Sequence, residues 1–126
     1  MKRVFGKIAV LWSIALMIAC SAGQGKLENM GTADFAELIK DTTVVLLDVR
    51  TPEEFAAGHI NGALNIDVKD SRFISAVQEQ IARGNRVAVY CRSGRRSLNA
   101  AGQMVEKGYD VVNLEGGFLA WEEAEK

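Results

Sequence analysis

The chain has 126 residues, 48% hydrophobic and 25% charged, with a formal net charge of −1. These values describe one globular domain with a modest core. They exclude the basic excess of a nucleic-acid binder, and no stretch is repeated or low in complexity.

At the N-terminus, Lys2, Arg3 and Lys7 accompany an uncharged, mostly apolar run from Ile8 to Ala19. That run is shorter than the roughly 20 residues needed to cross a bilayer. It falls within the about 7–15 residues of a signal-peptide core, so residues 1–19 read as a signal peptide. "MIAC", Met17 to Cys20, resembles a bacterial lipoprotein signal, although leucine is usual at the Met17 position. The resemblance implies lipidation of Cys20 and an exported, periplasmic protein held to a bacterial membrane by that lipid alone. Ordinary cleavage near Ala22 is the alternative. Residues 20–26 are small and polar and read as a flexible tether; residues 27–126 are the domain. Loss of Lys2, Arg3 and Lys7 leaves that domain moderately acidic.

Further on, "TADFAELIKD" predicts a helix capped by Thr32 with Phe35, Leu38 and Ile39 on one face. "TVVLLDVR" is a continuous apolar run, as in a strand buried on both faces of a parallel sheet. "TPEEFAAG" predicts a short helix with Thr51 as N-cap, Pro52 in the first turn and Gly58 as the stop. "GALNI" is a short strand, and "DSRFISAVQEQIARG" a helix with Phe73, Ile74, Val77 and Ile81 on one side. "RVAVY" and "DVVNL" are apolar strands, separated by a helix from about Ser97 to Gly108; "GFLAWEEAEK" is the last helix. Strands alternating with helices indicate an α/β domain on a parallel sheet, whose sites lie at the carboxyl ends of strands. Asp48, Cys91 and Glu115 fall at such ends.

Cys91 is the one cysteine of the expected domain, since Cys20 belongs to the leader. A lone thiol in an oxidising compartment is a liability unless it is buried or used. It follows a buried strand and precedes "RSGRR" and a helix. Gly94 lets so short a loop fold back, turning successive N–H groups inward around an anion. The helix start adds its dipole, and Arg92, Arg95 and Arg96 add positive charge. Each of these favours a thiolate, so the Cys91 pKa is expected to be depressed. A core cysteine beside a solvated basic helix start is the alternative.

"DVRTPEEFAAGHINGALNI", "VYCRSGRRS" and "NLEGGFLAW" resemble, in order and spacing, the three signatures of rhodanese-like domains. The likeness runs from about Leu27 to the C-terminus. It implies a five-stranded parallel sheet with helices on both faces, with one further strand near "KLENM". It also implies that Cys91 is a nucleophile. The cysteine would take the outer sulfur of thiosulfate or a similar donor as a persulfide and pass it to cyanide, a thiol or a partner protein. The loop N–H groups of Arg92, Ser93, Gly94, Arg95, Arg96 and Ser97 would hold the persulfide anion. Arg92 and Arg95 are the candidates for binding an anionic donor, and Arg96 for fixing the loop.

Asp48 and Arg50 are supporting candidates: Asp48 through hydrogen bonds that orient the loop, Arg50 through an ion pair with Glu54 four residues on. His59, the only histidine, reads as a turn residue that satisfies backbone. Gly116 and Gly117 allow close approach of the last helix, and Phe118, Leu119 and Trp121 cover the core or wall a pocket. One histidine far from one cysteine makes no metal site, and no cofactor motif occurs. The default assembly is a monomer. The rival enzyme, a phosphatase or arsenate reductase, needs C-x5-R; here Cys91 to Arg96 is C-x4-R, followed by Ser97. A persulfide carrier or a regulatory binding module is the remaining alternative.

Overall fold

The computed structural model describes residues 23–126. The expected signal segment and Cys20 lie outside the described residues. The elements are β1 (Leu27–Met30), α1 (Thr32–Leu38), β2 (Val45–Asp48), α2 (Pro52–Ala57), β3 (Leu64–Asn65), α3 (Phe73–Gln80), β4 (Val87–Tyr90), α4 (Arg95–Glu106), β5 (Val111–Leu114) and α5 (Gly117–Glu125). The strands form one parallel sheet in the order β1-β5-β4-β2-β3. This is the α/β architecture expected from the sequence, with helices on both faces.

The continuous apolar runs have a direct cause. Successive strand side chains point to opposite faces, and both faces are covered. Leu47, Val87, Val89 and Val111 pack with Phe73 and Val77 of α3 and with Ala100, Ala101 and Met104 of α4. Their neighbours Leu46, Ala88, Tyr90, Val112 and Leu114 pack with Phe35 of α1 and with Phe118 and Trp121 of α5. Each fully buried Val, Leu or Phe contributes about 1.5–3 kcal/mol.

Local chemistry sets the helix ends. Thr51 and Glu54 form a reciprocal capping box at α2, with Pro52 in the first turn and Gly58 closing the helix. At α1 the expected Thr32 cap is replaced. Gly31 is the N-cap and gives no side-chain bond; its carbonyl accepts the Phe35 N–H at 3.0 Å. Thr32 is therefore inside the first turn. Helix α3 is shorter than its apolar periodicity predicts, because Ile81 is already extended (φ −126°) and turns into the core. Ahead of β1, Gly25 N–H donates to the Val105 carbonyl (3.0 Å) and Lys26 N–H to Asp110 Oδ1 (2.9 Å). The chain is thus bonded to the domain before the first strand begins.

Candidate active site

Cys91 is the first residue past β4 and is only 1% exposed. Gly94 is the N-cap of α4 with φ 104°, a left-handed conformation that side chains resist. That reversal starts α4 at Arg95, two residues ahead of Ser97. The head of a 12-residue helix therefore faces the sulfur. Gly94 N–H donates to Cys91 Sγ at 3.0 Å, and Ser97 Oγ lies 3.4 Å from the same sulfur. The Ser97 hydroxyl is also 3.1 Å from the Gly94 carbonyl, and it has one proton to give. An anionic sulfur is the stronger acceptor of the two and draws that proton.

Burial pushes the Cys91 pKa up. The Ser97 hydroxyl and the N–H groups of Ser97, Gly94 and Ser93 outweigh burial and hold it below the ordinary thiol value. Arg92, Ser93 and Arg95 are exposed and make up the rim of the loop.

Arg96 points elsewhere. Its guanidinium grips Glu54 through two hydrogen bonds of 2.7 and 2.9 Å, fastening the head of α4 to α2. Hydrogen bonding to Arg96 is the main reason that the Glu54 carboxyl falls to about 2. The expected Arg50–Glu54 pair is therefore corrected, for a geometric reason. Arg50 precedes the N-cap Thr51, so the four-residue spacing of a helix does not apply to it.

Arg50 instead pairs with Asp48, two residues back on the same side of the extended chain. Arg50 Nη2 lies 2.7 Å from Asp48 Oδ2, Arg50 Nε lies 3.0 Å from Oδ1, and the Arg50 N–H bonds Oδ1 at 2.9 Å. Asp48 is 0% exposed and Arg50 4%. Arg50 also bonds the Gly58 carbonyl at 2.7 Å and lies 4.4 Å from the Phe118 ring centre. Asn65 Nδ2 joins the carbonyls of Asp48 and Arg50 at 3.0 Å each. The hydrogen bonds of the Asp48 carboxylate run to Arg50, and it steadies the end of β2 rather than bonding the cysteine loop.

Helix α5 holds the loop from the other side. Phe118 N–H donates to the Cys91 carbonyl at 2.8 Å, and Leu119 N–H to the Arg92 carbonyl at 3.1 Å. Gly117 makes this contact possible: a Cβ there would lie 2.5 Å from the Arg92 carbonyl oxygen. Phe118 and Trp121 pack on the core and line a groove of about 410 Å³ with Ile39, His59 and Ile60. Leu119 does neither and is 45% exposed. The His59 ring sits 2.8 Å from the Phe55 carbonyl and stacks on the Phe55 ring, matching the expected turn role. Glu115 turns into solvent. Among the described residues, no three His, Cys, Asp or Glu side chains gather as a metal cluster.

Sequence reasoning missed Glu54 as the residue that holds Arg96, and the α5 N–H groups as donors to the loop. Two glycines between a strand and a helix, in "EGGF", were the visible sign of the second.

The model of the rhodanese-like domain family matches residues 32–124. A sulfurtransferase from Allochromatium vinosum is 36% identical over 95 residues, covering 74% of this chain and 86% of that protein. Thiosulfate sulfurtransferase 16, chloroplastic, of Arabidopsis thaliana is 35% identical over 85 residues, covering 60% of this chain and 71% of that protein. The crystal structure of a rhodanese-related protein from Thermoplasma volcanium superposes with a TM-score of 0.64 at 32% identity, covering 77% of this chain and 92% of that one. With its sheet order, its cysteine loop and these likenesses together, the chain belongs to the rhodanese-like domain family.

Proposed function

We propose that the protein is a sulfurtransferase that carries sulfane sulfur from thiosulfate, or a similar anionic donor, on Cys91. The observation that carries this reading is the sulfur at the head of α4, held by Gly94 N–H at 3.0 Å with Ser97 Oγ at 3.4 Å. Relatives named as sulfurtransferases support sulfur transfer by a rhodanese-type enzyme, and the name of the Arabidopsis relative favours thiosulfate as donor.

In the first half-reaction the Cys91 thiolate attacks the outer sulfur of thiosulfate. The Sγ–S bond forms, the bond to the sulfonate breaks, and sulfite leaves with the electron pair. Arg92 and Arg95, exposed on the rim, draw the dianion in. The outer persulfide sulfur then lies about 2.05 Å beyond Sγ and takes its negative charge into the ring of N–H donors. In the second half-reaction cyanide, a thiol or a partner protein attacks that sulfur, and Cys91 departs as the thiolate. Both halves are covalent catalysis with ping-pong kinetics, and neither requires a cofactor.

The Glu54 grip on Arg96 weighs against the phosphatase reading, which needs an arginine turned toward the oxyanion. Intact-mass measurement after incubation with thiosulfate tests the proposal. One added sulfur atom is expected on the wild type and none on Cys91→Ser. An unmodified wild type, or sulfur retained by Cys91→Ser, overturns it.

A further inference from the structure

We propose that a groove along α5 is a docking site for a basic polypeptide segment, one that alternates arginine or lysine with apolar residues. The site lies outside the Cys91 loop and does not depend on the sulfurtransferase reading.

Phe118, Trp121, Glu122 and Glu125 follow one another at helical spacing and present one stripe of α5 to a groove of about 410 Å³. Ile39, at the end of α1, and Ile60 line the same groove. Trp121 and Glu125 also line a second groove of about 330 Å³, with Thr32, Ala33 and Ala36 of α1. The indole thus stands between two adjoining depressions. Two such grooves suit a run of chain, where a single small cation would fill only one.

The aromatic walls are fixed before anything binds. Trp121 meets the buried Phe35 ring edge-on, with centroids 6.3 Å apart. Phe118 stacks on Tyr90 at 6.0 Å and has Arg50 4.4 Å from its ring centre. Rigid aromatic surface costs little order on binding and covers apolar atoms of a partner.

Charge selects the occupant. Glu122 and Glu125 are exposed, and neither has an ion-pair partner among the described residues. The cations on the adjoining elements are already matched: Lys40 to Glu37 at 2.8 Å, Lys126 to Glu123 at 3.1 Å and Arg50 to Asp48 at 2.7 Å. His59, the other titratable group of the groove, is turned onto Phe55, with Nδ1 2.8 Å from its carbonyl oxygen. The groove therefore combines aromatic and aliphatic walls with two uncompensated carboxylates. A guanidinium or ammonium on an apolar stem answers both, lying over an aromatic face and pairing with a carboxylate. An acidic segment is repelled, and a purely apolar one makes no use of the charge. Phe118 also donates its N–H to the Cys91 carbonyl at 2.8 Å, so the bound segment lies along the helix that holds the cysteine loop.

The test uses the full chain and fluorescence anisotropy of a labelled synthetic peptide of alternating arginine and leucine. A second peptide has glutamine in place of each arginine. The arginine peptide is expected to bind about tenfold or more tightly than the glutamine one, the gap narrowing with added salt. A Glu122→Gln, Glu125→Gln double variant is expected to lose about tenfold on the arginine peptide. A Glu53→Gln, Glu106→Gln double variant removes the same charge from α2 and α4 and is expected to bind as the wild type does. Equal binding of the two peptides to the wild type overturns the docking site. So does unaltered binding by the α5 variant, or an equal loss in the α2 and α4 variant, which would mean attraction by net charge alone. Free arginine amide that binds as tightly as the peptide also overturns it, in favour of a small-cation site.

Discussion

Glu54 holds Arg96 in a two-pronged ion pair, with contacts of 2.7 and 2.9 Å across 42 residues of chain. The pair joins α2 to the first turn of α4, so it braces the loop that carries Cys91 without touching the sulfur. Glu54→Gln is expected to cost about 1 kcal/mol near neutral pH, as for a partly exposed bidentate pair. The Glu54 pKa is lowered from 4.5 to about 2, chiefly by its bond to Arg96. A depressed carboxyl contributes stability above its unfolded value, and that stability is lost as pH falls through the folded one. Urea unfolding of wild type and variant should therefore diverge at neutral pH and converge between about 4.5 and 2. A gap that does not change with pH contradicts the assignment.

Cys91 should alkylate with a pH midpoint below that of an ordinary thiol, since the donors around it outweigh its burial. Ser97→Ala removes the hydroxyl 3.4 Å from the sulfur. A hydrogen bond to a charged group is worth about 1.5 kcal/mol or more. Iodoacetamide labelling at neutral pH should then slow several-fold, with the midpoint moved up. An unmoved midpoint would assign the shift to the backbone donors alone.

Asp48 and Arg50 are a buried pair, and removing one partner leaves the other charge without compensation. Asp48→Ala is expected to destabilise the domain by about 3–5 kcal/mol in chemical denaturation. A loss under about 1 kcal/mol would show that water reaches the guanidinium. The cation over the Phe118 ring links this pair to α5, so the variant should also loosen the docking of that helix.

Two glycines should respond in opposite directions to alanine. Gly117 has φ +60°, and a Cβ there meets the carbonyls of Arg92 and Cys91 at 2.5 and 2.6 Å. Gly117→Ala is expected to cost about 2 kcal/mol or more and to lower sulfur transfer, because the backbone that must yield is the cysteine loop. Gly102, exposed in the middle of α4, has nothing within 4 Å of its added Cβ. Gly102→Ala should stabilise the domain by about 0.5–1 kcal/mol with activity unaltered. Thermal melts and persulfide yields on both variants check the contrast.

The proposed lipid on Cys20 predicts that wild type partitions with membranes while Cys20→Ala is released to the soluble fraction. Equal release of both proteins removes the anchor from the account.

The parts of the fold that could be read from sequence are those whose physics is local. Val45–Asp48, Val87–Tyr90 and Val111–Leu114 were visible as strands, because a strand covered on both faces has no polar alternation to blur it. Thr51, Pro52 and Glu54 carried their own capping signal. Strand β1 was not visible. It is an edge strand with Leu27, Glu28 and Asn29 all exposed, so its residues are not selected for burial. Strand β3 spans only two residues, too few for any period, yet it lies within the short strand expected at "GALNI". At the site, Cys91, Gly94 and Ser97 were legible because strand, glycine and helix start are consecutive. The partners of Arg50 and Arg96 were misjudged or left open for the opposite reason. Arg50 called for the two-residue spacing of extended chain, and the 42 residues between Arg96 and Glu54 leave no local trace.

The bonds from Phe118 and Leu119 to the carbonyls of Cys91 and Arg92 also have a consequence in time. A ribosome makes the cysteine loop well before it makes α5. Until α5 emerges, those two loop carbonyls lack the donors it supplies and Cys91 sits in an unfinished cradle. Completion of the Cys91 loop is thereby deferred until α5 has followed it, after all five strands have been made.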